Sequence, residues 1–157
     1  MGTEIERKFL VVGDSWRDGA VGRRLVQGYL SRDPARTVRI RLDDDAAFLT
    51  IKGQSVGASR AEFEYPLPRH DAEPLLALCL PPLIDKRRFV VELAGKRWEI
   101  DEFAGDNAPL VLAELELTSE DEAFDAPHWL GREVTADPRF FNSQLAHKPY
   151  ASWREEE

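Results

Sequence analysis

Thr37-Val38-Arg39-Ile40-Arg41-Leu42 places two arginines on one side of an extended segment and three aliphatic side chains on the other. Successive side chains of a β-strand point to opposite faces, so this stretch is cleanly two-sided only as a strand. An ordinary half-buried strand backs its apolar face with mixed polar residues. Here the polar face is pure charge, and the same pattern recurs along the chain. Glu4, Glu6 and Lys8 share a face, with Ile5, Arg7 and Phe9 opposite. Gln27 and Tyr29 oppose Val26 and Leu30, and Lys52 faces away from Leu49 and Ile51. Glu62 and Glu64 oppose Phe63 and Tyr65, and Lys86 and Arg88 oppose Phe89 and Val91. Arg97, Glu99 and Asp101 oppose Trp98 and Ile100, and Glu114 and Glu116 oppose Val111, Leu115 and Leu117.

A solvent face has no reason to group charges by sign, yet Arg39/Arg41, Lys86/Arg88, Glu62/Glu64 and Glu114/Glu116 are like-charge pairs two residues apart. Such neighbours repel, and a plain surface gains nothing by them. Turning the charged face inward explains the pattern. Period-2 alternation predicts eight strands, at 3–12, 23–31, 37–43, 47–53, 60–68, 86–93, 96–103 and 110–117. Asp43-Asp44-Asp45, Gly53 to Gly57, Ala94-Gly95 and Gly105-Asp106-Asn107 mark turns, and links this short imply antiparallel neighbours. Eight strands can close into a barrel. The expected fold is therefore mostly β, in the α+β class: an eight-stranded antiparallel closed barrel, a tunnel, with helices packed outside.

Helices are expected in three places. Asp71 would cap a helix carrying Leu75, Leu76, Leu78 and Cys79, stopped by Pro81-Pro82. Ser119-Glu120-Asp121-Glu122 reads as a capping box. Asp137-Pro138 reads as the start of a helix running to about His147. That last helix could close one tunnel end, with Arg139 or Lys148 reaching a ligand. Trp16, Trp98, Trp129 and Trp153 are expected to pack against the barrel's outside, Cys79 in the core, and Glu155-Glu156-Glu157 as a solvated tail.

No repeat, linker or low-complexity tract divides the 157 residues, so residues 1–157 read as one domain. The balance of 21 basic against 29 acidic residues, net −8, argues against a nucleic-acid binder. No stretch approaches a spanning helix, and the first residues lack a basic-then-apolar leader, so no membrane association and a cytoplasmic location are expected. One cysteine and three scattered histidines exclude a disulfide framework and a Cys- or His-rich metal site. The sequence leaves a homodimer open.

A charged interior is costly unless its charges are paired or occupied. Mutual pairing accounts for part of it. A wet binding site accounts for the whole. Glu4, Glu6, Glu114 and Glu116 are hard oxygen donors, suited to Mg²⁺ or Mn²⁺. Lys8, Arg39, Arg41, Lys52, Lys86 and Arg88 are six bases, and arginine's fork matches phosphate oxygens. A linear triphosphate, free or on a nucleoside, fits such a lining. Neither a P-loop nor a dinucleotide-binding glycine motif occurs.

At this point the chain resembles the CYTH proteins, or triphosphate tunnel metalloenzymes. Glu4-Ile5-Glu6-Arg7-Lys8 matches the N-terminal ExExK signature of that family. Further matches are Gln27-Gly28-Tyr29-Leu30, the Arg39/Arg41 pair, Lys52-Gly53, the Glu62/Glu64 pair, Lys86 with Arg88, Asp101, and Ala113-Glu114-Leu115-Glu116. With Trp129-Leu130-Gly131 and Glu133-Val134-Thr135 the resemblance covers nearly the whole chain, and it is to the short bacterial members. It implies a tunnel-shaped barrel and metal-dependent attack on a triphosphate. Carried over, the six bases would grip phosphates. Glu4, Glu6, Glu114 and Glu116 would ligate metal, with Glu62, Glu64 and Asp101 as supporting or second-site carboxylates. Lys8 and Tyr29 resemble a pair that assists the reaction in some relatives, although Tyr29 could equally just line the tunnel.

The expected activity is hydrolysis of inorganic triphosphate to pyrophosphate and phosphate. Nucleoside or thiamine triphosphatase and adenylate cyclase are the alternatives on the same fold, and a non-catalytic polyphosphate- or nucleotide-binding module is the alternative outside enzymes.

Overall fold

Eight strands of the computed structural model, which describes residues 2–155, close on themselves. They are β1 (Gly2–Val11), β2 (Gly22–Ser31), β3 (Arg36–Asp43), β4 (Ala46–Gly53), β5 (Ser59–Leu67), β6 (Leu80–Leu93), β7 (Lys96–Phe103) and β8 (Val111–Glu116). All neighbours are antiparallel, in the order β5-β4-β3-β2-β6-β7-β8-β1. Gly2–Ile5 then pair with Ser59–Glu62 and complete the ring. The expected eight-stranded antiparallel barrel is what forms. Met1, Glu156 and Glu157, the latter two belonging to the acidic tail, lie outside the described residues.

A ninth strand, β9 (Leu130–Glu133), was not foreseen. Phe9 pairs with Ala113 of β8 on one side and with Glu133 of β9 on the other. β9 thus takes the edge of β1 that β5 has left, and the Val134 N–H continues it by donating to the Lys8 carbonyl. From that gap the chain turns onto the inward face of the barrel.

The outward apolar faces are covered in two patches. Phe9, Trp16, Phe89, Trp98, Ile100, Leu115 and Trp129 form one cluster, with Trp98 set edge-on against Phe9, Phe124 and Trp129 at 5.4–5.9 Å. The short helix α1 (Ala72–Leu78) seats Leu76, with Cys79 just beyond it, on Ile40, Val26, Leu42 and Leu49. A third cluster fills one end of the barrel. Tyr29, Ile84, Phe103 and Leu112 have the same strand parity as the charged residues, and they pack on Val134, Phe140, Leu145 and Ala146.

Three expectations need correction. β6 begins at Leu80, not near 86. Pro81 and Pro82 end α1 but are accommodated in the strand, because the β2–β6 register shifts between Tyr29/Leu80 and Gln27/Ile84, where their missing N–H groups fall. The capping box at 119–122 starts no helix. Glu122 accepts from the Thr118 N–H at 2.7 Å and hydroxyl at 2.6 Å and pairs with Lys96, while the following residues carry Phe124 and Trp129 into the outer cluster. Tertiary burial of two aromatics overrides a local helix signal.

Nor does one helix span 137–147. A 3₁₀ turn at Pro138–Phe140, capped by Asp137, gives way to an extended Phe141 (φ −67°, ψ 135°) before the helix α2 (Asn142–His147). α2 packs on inward-facing residues of β2 and β6, whereas α1 lies outside as expected.

Candidate active site

The charged faces enclose a cavity of about 370 Å³ lined from all eight barrel strands and from the segment around α2. Of the expected residues, Glu4, Glu6, Lys8, Tyr29, Arg39, Arg41, Lys52, Glu62, Glu64, Lys86, Arg88, Glu114 and Glu116 all line it. Asp101 is not at its surface. It is fully buried behind Lys86 and Arg88. Arg139 pairs with Asp137 instead of reaching inward, and neither it nor Lys148 is among the lining residues. Trp153 sits over Phe140 and Tyr150, and Cys79 is buried, as expected of packing residues.

Strand register explains the convergence. In β1 and β8, Glu6 stands opposite Glu116 and Lys8 opposite Glu114. In β6 and β7, Arg88 stands opposite Asp101. Lys52 stands opposite Glu62 across β4 and β5. Charges scattered along the chain become neighbours because every strand contributes the same parity.

The bases are held in two ways. Some rest on carboxylates: Lys52 Nζ lies 2.9 Å from Glu4 and 3.3 Å from Glu62, and Lys8 lies 3.7 Å from Glu114. Asp101 anchors two bases, accepting from Lys86 Nζ at 2.7 Å and from Arg88 Nε and Nη2 at 2.8 and 2.9 Å. Others rest on neutral acceptors. Arg41 Nε donates to Gln27 Oε1 at 2.7 Å, and Arg39 Nη2 to Thr50 Oγ1 at 3.0 Å, with the Glu64 carboxylate farther off at 3.5 Å. Lys8 Nζ donates to the Phe140 carbonyl at 3.2 Å, and Lys86 Nζ to Asn142 Oδ1 at 2.9 Å. Among the described residues Arg39 Nε is buried with no hydrogen-bond partner, a donor left over for an incoming acceptor.

Electrostatics divides the carboxylates into two groups. Burial opposes ionisation of Glu114, yet Lys8, Arg88 and Lys86 bring its pKa down to about 2. Asp101 is likewise depressed, against its burial, by Arg88 and Lys86. Glu6 is the opposite case: burial, then the charges of Glu114 and Glu4, raise it well above the usual value. Burial and Glu4 also raise Glu62, and burial, Glu4 and Glu99 raise Glu116. On the basic side, burial pushes Lys86 down to about 7, and burial with Arg39 and Arg88 pushes Arg41 down to about 9. These are excess negative and excess positive zones within one cavity.

Carboxylates that repel one another are what a hard divalent cation relieves. Among the described residues no three acidic, histidine or cysteine side chains already stand as a ready-made metal cluster. The donor chemistry of Glu4, Glu6, Glu114 and Glu116 nevertheless fits such an ion, since all are oxygen donors and Glu6 and Glu116 lack a close basic partner among the ion pairs.

Reasoning from sequence missed several lining residues. Arg60 and Phe48 share strand parity with Glu62, Glu64 and Lys52, so the alternation could have found them. Asn142 carries no such signal, because it comes from α2 and meets Lys86 only through the tertiary fold.

A CYTH domain family model matches residues 2–146. The inorganic triphosphatase of Acetivibrio thermocellus is 46% identical over 156 residues, covering 99% of this chain and all of that protein. The inorganic triphosphatase of Nitrosomonas europaea is 39% identical over 150 residues, covering 92% of this chain and 97% of that protein. The crystal structure of the inorganic triphosphatase NE1496 superposes with a TM-score of 0.67 at 35% identity, covering 90% of this chain and 96% of that one. With the closed barrel and its charged lumen, these likenesses lead to one conclusion: the chain belongs to the CYTH family.

Proposed function

We propose that this chain hydrolyses inorganic triphosphate to pyrophosphate and phosphate, acting as a single catalytic domain on a small polyanion. The observation that carries the reading is the convergence of bases and carboxylates on one cavity, with Arg41 held there by a neutral acceptor. Two relatives of full-length similarity are named inorganic triphosphatases.

Lys8, Arg39, Arg41, Lys52, Lys86 and Arg88 bind the phosphate oxygens and stabilise charge on the transferring phosphoryl group and on the leaving pyrophosphate. Phosphoryl transfer depends mainly on positioning and electrostatics, so no Ser/His/Asp triad is required. The CYTH triphosphatases are metal-dependent as a family. We assign a Mg²⁺ or Mn²⁺ ion to Glu4, Glu6, Glu114 and Glu116, with Glu62 and Glu64 supporting. Such an ion supplies Lewis-acid charge and a water of lowered pKa. Asp101, with both oxygens engaged by bases, is assigned to positioning Lys86 and Arg88. Tyr29, which lines the cavity and whose hydroxyl accepts from Gln27 Nε2, is assigned to assisting the reaction with Lys8.

Among the described residues no helix is long and apolar enough to cross a membrane. A phosphate-release assay with triphosphate, ATP and thiamine triphosphate, each with Mg²⁺ and with Mn²⁺, tests the proposal. Faster turnover of triphosphate is expected, and no release from any of the three would overturn it.

A further inference from the structure

The two amides in the lumen form a relay between bases. Gln27, fully buried, accepts from Arg41 through Oε1 and donates through Nε2 to Asn142 Oδ1 at 3.2 Å. The same Asn142 oxygen accepts from Lys86 Nζ. Arg41 and Lys86 can only donate, so each end of the relay must present an oxygen, and the orientation of both amides follows. The arrangement directs two cations without setting a further negative charge beside either, Lys86 being already paired with Asp101. A carboxylate in either place would hold the base equally well but would set one more negative charge in the path of an incoming polyanion.

Asn142 is in position only because the chain is extended at Phe141, which separates it from the preceding 3₁₀ turn. The same break leaves the Phe140 carbonyl to accept from Lys8. One short stretch, Phe140–Asn142, therefore touches two bases from different walls of the barrel.

We propose that Asn142 is a positioning residue for the triphosphate site, its neutral oxygen aiming Lys86 directly and Arg41 through Gln27. The proposal rests on the triphosphatase reading above.

The decisive variant is Asn142→Asp, which keeps shape and acceptor but adds a charge beside Lys86. Thermal melting is expected to remain cooperative and close to wild type. KM for triphosphate should rise about tenfold or more, the size of a lost charge-assisted contact, with a smaller change in kcat. A residue needed only for packing would tolerate this isosteric change. Wild-type KM in Asn142→Asp overturns the proposal.

A double-mutant cycle supplies the second measurement. Asn142→Ala should weaken triphosphate binding by calorimetry in the wild-type background and have little further effect on Lys86→Met. Equal effects in both backgrounds would show that Asn142 does not act through Lys86, and the proposal fails. A wild-type protein that neither binds nor cleaves triphosphate overturns the functional reading and this inference with it. Normal wild-type turnover with unaltered Asn142 variants overturns this inference alone.

Discussion

Replacing Asp101 with asparagine attacks the most concentrated electrostatic feature of the barrel. Its carboxylate is fully buried and receives three charge-assisted hydrogen bonds, one from Lys86 and two from Arg88. Asparagine offers one oxygen and one NH₂ group, so whichever way it lies a donor faces a donor. Lys86 and Arg88 lose their shared counter-charge while remaining buried. Breaking a buried pair by removing one partner costs about 3–5 kcal/mol. For a domain of about 150 residues each kcal/mol lowers Tm by roughly 2–4 °C, which makes the expected drop roughly 6–20 °C.

Differential scanning calorimetry at pH 7 without metal measures that drop. Adding triphosphate should recover more stability in the variant than in the wild type, because the polyanion returns the missing negative charge. The pH dependence has a definite sign. Arg88 and Lys86, acting against burial, hold the folded pKa of Asp101 below its usual value. Its contribution is thus present above about pH 4 and is lost as pH falls further, so the two melting curves should converge in acid. A variant melting within about 2 °C of wild type at pH 7 would refute the reasoning, since the pair would then contribute less than about 1 kcal/mol.

Lys8→Ala and Glu116→Ala should each lower metal-dependent phosphate release by about 100-fold or more while circular dichroism stays native. Near-normal turnover in both would count against the assigned site. Glu6→Gln should abolish metal-dependent turnover yet stabilise the metal-free protein by on the order of 1 kcal/mol, because it removes a carboxylate raised by burial and by Glu114 and Glu4. That gain should grow as pH rises from 4 toward 8, where the wild-type group is driven to ionise; urea titrations at the two extremes would show it. Trp98→Ala, which empties the centre of the outer aromatic cluster, should cost about 3–5 kcal/mol by urea unfolding while triphosphate affinity of the folded protein is retained.

The alternation in Thr37–Leu42 and its counterparts carried much of the fold, since period 2 determines which side chains share a face and like-sign pairs point that face away from bulk water. Arg39 and Arg41 sit in the cavity for the reason read from the chain. β9 was invisible because four residues with an extended pattern pair only where β5 has diverged from β1. The capping box at Ser119 misled because Glu122 serves Thr118 and Lys96, and the aromatics beyond it bind more strongly to the barrel than to a helix of their own.

Local chemistry alone determined that bases and acids would line one surface of a closed sheet, for strand parity is a property of the covalent chain. Which charges remain available there was decided by the tertiary structure. Asp101 neutralises Lys86 and Arg88 by register across two strands, whereas Asn142 meets Lys86 from 56 residues away. Pairing depends on distances between segments, and those exist only after the barrel has closed and the C-terminal stretch has entered it.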